Sequence, residues 1–195
     1  MDTHYVLDPS DRVVAIDEHW IAFAKANDAA TLSDRVVGQS LWTFIAGPTV
    51  RELYRTLLGR VRATGRRVNL PFRCDSPTVR RYMTLSMAPG NGPRGTLDFG
   101  ATLVREEPQS PNARALYVAV LGRRGGGHHA AASGAHDHAD EMLTMCSACK
   151  RLYVDGWCEI DEALERRTDL LTEPVRPVSH GLCLPCRDAA LESVA

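Results

Sequence analysis

Apolar residues in the first hundred positions follow two periods, and the switches between them predict the elements. Tyr5–Leu7 and Arg12–Ile16 are short β-prone runs on either side of the turn Asp8-Pro9-Ser10-Asp11. In DEHWIAFAKAND the pattern becomes helical, with Trp20, Ile21, Phe23 and Ala24 on one face and Asp17 placed to cap the first turn. VVGQSLWTFIAG reads as a loop with a short helical turn. Pro48 then opens a longer helix to about Ala63, with Val50, Leu53, Tyr54, Leu57, Leu58 and Val61 at helical spacing, and Thr64-Gly65 stops it. Val68–Cys74, Arg80–Met87 and Gly95–Val104 return to strand-like runs, separated by the turns DSPT and APGNGP. Two short strands, then helices, then three antiparallel strands predict an α+β domain. Its sheet carries helices on one face and encloses a pocket between the layers.

The periodicity ends near Glu106. EEPQSPNAR, a short apolar run ALYVAVLG (115–122), and RRGGGHHAAASGAHDHADE follow, and glycine, alanine, serine and histidine dominate there. The expected organisation is a domain over 1–107, a flexible linker over 108–141 and a small module over 142–195. Within the linker, Leu116–Leu121 reads as a last strand or a short docking segment. His128, His129, His136 and His138 read as part of a polar linker rather than as metal ligands.

Composition narrows the class only a little. A chain of 195 residues, 44% hydrophobic and 24% charged, has room for one core domain and a small module. A net charge of -1 favours neither nucleic acid nor a membrane surface. Arg60, Arg62, Arg66, Arg67, Arg73, Arg80 and Arg81 invite a nucleic-acid reading, but with 21 arginines and two lysines arginine is the default base here. A solvated face is the expectation for them. The N-terminal MDTHYVLDPSDR has no apolar run of a signal peptide, and no run of 18 apolar residues exists, so a cytoplasmic protein that does not span a membrane is expected.

The six cysteines change the picture more. MCSACK supplies Cys146 and Cys149, and SHGLCLPC supplies Cys183 and Cys186, with 33 residues between the pairs. In a reducing compartment such pairs are more often metal ligands or redox groups than structural disulfides. Four thiolates suit a tetrahedral Zn²⁺ in a closed, structural site. Between the pairs, Lys150–Val154 and Trp157–Ile160 flank Asp155-Gly156, a strong hairpin signal, and Asp161–Arg167 reads as a short helix with Asp161 near its N-cap. Pro185 and Cys186 open a last helix, whose dipole favours thiolate. Leu152, Tyr153, Val154, Trp157, Ile160, Leu164, Leu170 and Leu171 are few for a core, so metal is expected to decide folding. Cys158 reads as a packed free thiol, and His180 as a residue orienting a thiolate rather than ligating. A thioredoxin-type dithiol would need a βαβ unit, which the pattern lacks.

Two resemblances rest on these residues. Residues 3–105, with NDAATLSDRVVGQSLWTFIAG, the proline-started helix and LPFRCDSP, look like a PAS domain and are similar to PAS-like bacterial sensors. The resemblance implies a five-stranded antiparallel sheet with a cavity for a small ligand, and such domains commonly dimerise. The ligand is not named by it. The cysteine of the flavin-binding branch has no counterpart, since Cys74 sits in a predicted strand. The histidine that haem-binding members take from the long helix is missing too, and His19 reads as solvent-facing. Cys146, Cys149, Lys150, Gly156, Trp157, Glu159, Ser179, His180, Gly181, Cys183 and Cys186 resemble the short cysteine-rich zinc tail that follows PAS, receiver or kinase modules in bacterial signalling proteins. With a first knuckle, a hairpin and a second knuckle leading into a helix, the module is treble-clef-like.

No phosphate loop, GxSxG or convincing carboxylate pair is present, so no enzymatic activity is expected. The expectation is a non-enzymatic signalling protein, with a PAS-like sensor and a zinc module that docks on a protein partner around Trp157. A DNA-binding regulator and a thiol redox switch are the alternatives.

Overall fold

In the computed structural model, which describes residues 2–27, 29–121, 142–171 and 177–193, β1 (Asp2–Leu7) and β2 (Val13–Ile16) form a hairpin that Asp8 closes. The Asp8 Oδ1 accepts from the N–H of Ser10 at 2.8 Å and of Arg12 at 2.9 Å. Helix α1 (Glu18–Ala26) starts where expected, with Asp17 Oδ1 accepting from Trp20 N–H at 2.7 Å. A further helix, α2 (Ala30–Val36), is short and polar, without a side-chain cap, and the apolar pattern did not mark it. Helix α3 (Pro48–Thr64) ends at Gly65 and buries Val50, Leu53, Leu57, Leu58 and Val61. Three long strands complete the larger unit: β3 (Val68–Arg73), β4 (Val79–Pro89) and β5 (Leu97–Pro108).

The sheet has five strands in the order β2-β1-β5-β4-β3, every neighbouring pair antiparallel. Alternation does the sorting. Val68 and Leu70, Leu85 and Met87, Leu97 and Phe99 face one way and meet the apolar stripe of α3, while Trp20 of α1 and Leu32 of α2 pack against the same cluster. Phe99, Leu57, Leu58, Met87 and Leu97 are fully buried, each contributing about 1.5–3 kcal/mol of transfer free energy.

Two expectations are corrected beyond this point. Strand β5 runs on to Pro108, pairing Glu106 with Arg81 and Glu107 with Arg80. Residues 111–121, read as linker with a last strand or a short docking segment at 116–121, form a helix, α4 (Pro111–Leu121), with Ser110 Oγ accepting from Ala113 N–H at 3.1 Å. The apolar run there is nearly continuous, so it carries no clear period. Tertiary packing selects the helix, because Ala113, Leu116 and Tyr117 share one face and all three are buried. Residues 122–141, with the four linker histidines, lie outside the described residues.

The smaller unit comprises β6 (Leu143–Cys146), β7 (Leu152–Tyr153), β8 (Trp157–Cys158), α5 (Ile160–Arg166), β9 (Val178–Gly181) and α6 (Leu184–Glu192). Its sheet order is β8-β7-β6-β9, with β6 and β9 parallel. The predicted hairpin is present. Asp155 and Gly156 both take positive φ, at 51° and 124°. A second core gathers Leu143, Met145, Leu152, Val154, Ile160, Leu164 and Leu170 around α4. Tyr153 and Leu171 are exposed rather than in that core. At the start of α5, Glu159 rather than Asp161 holds the N-cap position, and its side chain makes no cap hydrogen bond. Helix α6 turns back to the larger unit, where Ala190 and Leu182 join the first core beside α3. No described helix is long and apolar enough to cross a membrane.

Candidate metal centre

The parallel pairing of β6 with β9 brings the two cysteine pairs together. Cys146, the last residue of β6, lies opposite Gly181, two residues before Cys183. A tight turn over Ser147-Ala148-Cys149 follows Cys146, and Lys150 leaves it with φ of 64°. On the other side Cys183 is the N-cap of α6 and Cys186 sits in its first turn. Gly181 is favoured by close approach. A Cβ there would stand 3.0 Å from Thr144 Cγ2 and 3.3 Å from the Trp157 ring, so the HG step of SHGLCLPC lets Trp157 pack over β9.

The four sulfurs lie within 4.8 Å of one another, and Cys146 and Cys183 are fully buried. Cys183 Sγ is 3.7 Å from both Cys146 Sγ and Cys149 Sγ. A tetrahedral ion with metal–sulfur bonds of about 2.3 Å has sulfur–sulfur edges of about 3.8 Å, whereas a disulfide would be about 2.05 Å. The donor set therefore fits one metal ion, and four protein ligands leave no open coordination position. Cys183 N–H points at Cys146 Sγ at 3.4 Å, one of several backbone donors around that sulfur.

The thiols shift one another's protonation. The Cys149 thiol donates to Cys146, and against the penalty of burial the N–H groups of Cys183, Cys149 and Ala148 help bring the Cys146 thiol down to about 4. Half-buried Cys149, through its hydrogen bond to Cys146 and its partial burial, is driven upward, and burial with the neighbouring thiols pushes Cys186 up to about 12. Four sulfurs this close cannot all be anionic without a cation among them. The geometry can hold a metal ion.

The remaining candidates fall away from the centre. Cys158 packs in the second core, its thiol pushed up by burial and directed at Leu152 O at 3.8 Å. Cys74 lies just past β3, half-buried, with its thiol also pushed up by burial. His180 lies opposite Met145 on β9 and is not among the four clustered ligands. His19 is exposed on α1.

The expected solvated arginine face is only partly real. Arg66 and Arg67 are exposed, but Arg73 is buried at 5% exposure, and Arg62 reaches Asp11 Oδ1 at 2.7 Å and Gly95 O at 2.9 Å. Arg81 binds Glu106 at 2.9 Å. Arginine can serve this way because its planar fork satisfies several acceptors at once.

Arg73 and Asp75 are the residues that sequence reading missed. The Arg73 guanidinium is paired with the fully buried Asp75 carboxylate. Arg73 Nη1 also donates to Cys149 O at 2.9 Å and to Glu159 Oε2 at 3.2 Å, and Arg73 N–H donates to Ala148 O at 2.7 Å. Asp75 Oδ2 accepts from Tyr117 O–H at 3.1 Å and Gln109 Nε2 at 3.2 Å. Burial opposes the Arg73 charge, and Asp75 more than offsets it; burial and the Asp75 charge drive the Tyr117 phenol upward. Tyr117 lies 42 positions from Asp75 and Cys149 76 positions from Arg73, so no local pattern could have linked them.

Compared with protein-family models and with curated proteins, the chain matches none.

Proposed function

We propose that this chain is a non-enzymatic cytoplasmic signalling protein. In this reading a PAS-like domain is joined to a treble-clef-like module whose four cysteines hold a structural Zn²⁺. The carrying observation is the sulfur arrangement. Four buried or half-buried thiols, all within 4.8 Å of one another and with Cys183 3.7 Å from both Cys146 and Cys149, form a closed set of soft donors, the chemistry of structural zinc rather than of a catalytic ion. Zinc there would supply only cross-linking of the two knuckles, with Cys146 and Cys149 from one arm and Cys183 and Cys186 from the other.

The PAS reading is supported by the strand order β2-β1-β5-β4-β3, with the helical segment inserted between the second and third strands and packed on one face. The treble-clef reading is supported by a knuckle, the β7–β8 hairpin and a helix that starts on the second knuckle. Docking onto a protein partner fits better than binding DNA, because Arg62, Arg73 and Arg81 are engaged internally. On the module, Tyr153 is exposed and packs edge-on to half-buried Trp157 at 5.5 Å, so the surface around Trp157 offers an aromatic face to a partner.

The deciding experiment is elemental mass spectrometry on protein purified without chelator, with a free-thiol count. One zinc per chain, lost in Cys183→Ser together with the fold of the smaller unit, is the expected result. Metal-free protein whose cysteines oxidise in pairs would instead make it a thiol redox switch.

A further inference from the structure

The metal centre is held to the larger unit from both sides. The first knuckle presents the Ala148 and Cys149 carbonyls to Arg73 at the end of β3. The second leads into α6, whose Ala190 packs in the core beside α3, while the backbone of His180 on β9 lies against Gly47 at the start of α3. A metal ion bonded to all four sulfurs would tie these two attachments to each other.

We propose that Arg73 and Asp75 form a coupling element through which occupancy of the four-cysteine site is felt at the β3 edge of the five-stranded sheet. This rests on the reading that the cysteines bind a metal, and it adds a regulatory consequence to it. Arg73 is a positioning residue: it touches no sulfur, but it holds the two carbonyls of the turn that presents Cys149. Both members of the pair are buried, so neither can turn to water if the turn moves. With the metal bound, Cys146 and Cys149 fix the turn, the turn fixes Arg73, and Asp75 passes the constraint to Tyr117 of α4, Gln109 and the Arg81 N–H of β4. Without it the four sulfurs lose their common centre, the Ala148 and Cys149 carbonyls lose their set positions, and the end of β3 loses the Arg73 N–H bond to Ala148 O that ties it to the first knuckle. Because coupling between two binding sites is reciprocal, a partner that binds the β3–β4 edge more tightly when the metal is bound raises metal affinity by the same factor.

The test is hydrogen exchange on the full chain, zinc-loaded and then stripped with a chelator. Stripping is expected to lower protection at 68–74 and 80–82 by about tenfold or more, with recovery on adding zinc, while β1, separated from β4 by β5 in the sheet, stays unchanged. The double variant Arg73→Gln/Asp75→Asn removes both charges together, so neither is left buried alone. It is expected to bind one zinc per chain, at least about tenfold more weakly, and to show no response to stripping at 68–74. Zinc binding by the natural chain with no change at β3 on stripping overturns the coupling alone. An equal response in the double variant assigns the coupling elsewhere and overturns it too. Failure to bind zinc at all removes the metal reading, and the coupling with it; the zinc content measured in the same samples separates these outcomes.

Discussion

The two units hold their shapes by different means. In the larger one, strands of up to 12 residues form continuous ladders, and the first core is apolar throughout apart from half-buried Tyr5, Tyr54, Trp20 and Trp42 at its margin. In the smaller one, β7 and β8 have two residues each, too few to pair independently. There the chain is drawn together by one face of α4, by the parallel β6–β9 contact and by four thiols. Hydrophobic burial suffices where elements are long enough to present a whole face. Where they are not, a helix borrowed from outside the motif and, on the proposed reading, coordination of a metal by the four cysteines supply the difference.

If α4 belongs structurally to the smaller unit, Leu116→Ala should be felt there first. Leu116 is fully buried in the second core, so the expected loss is about 2–5 kcal/mol, read as an earlier unfolding transition of residues 142–193 by hydrogen exchange. An equal shift in exchange at β1 and α3 would show instead that the two units unfold as one.

The contact between the units is tested by Gly47→Ala. Gly47 caps α3 at φ of 83°, and a Cβ there would lie 2.5 Å from His180 O. The strained backbone costs about 1–3 kcal/mol, and the clash can be relieved only by moving β9 away from α3. Loss of protection at 178–181, with the centre of β4 unaffected, is the expected signature.

A smaller effect should appear only in the larger unit. Burial raises the Tyr54 phenol to about 12, above its ordinary value near 10. Between those values the unfolded chain ionises while the folded one does not, so this contribution to stability is complete below pH 10 and is lost as pH rises toward 12. Tyr54→Phe should move the alkaline unfolding midpoint upward without altering zinc content. An unchanged midpoint would place alkaline sensitivity with Tyr5 or with the metal centre.

What the amino-acid sequence determined by itself is whatever depends on neighbours along the chain. The Asp17 cap, the Pro48 start and Gly65 stop of α3, the alternation in β3, β4 and β5, the Asp155-Gly156 turn and the paired spacing of the four cysteines all have their physical cause within a few residues. Only the tertiary structure decided that 111–121 is a helix, that β9 forms beside β6, that Glu159 leaves its capping role to face Arg73 and Arg151, and that Arg73 is buried rather than solvated. Each of these depends on a partner far away in the chain. The reason is the same throughout. An apolar run without a period, or a charged side chain at a strand end, has several local states of similar free energy, and the choice falls to a contact that exists only once the chain has folded.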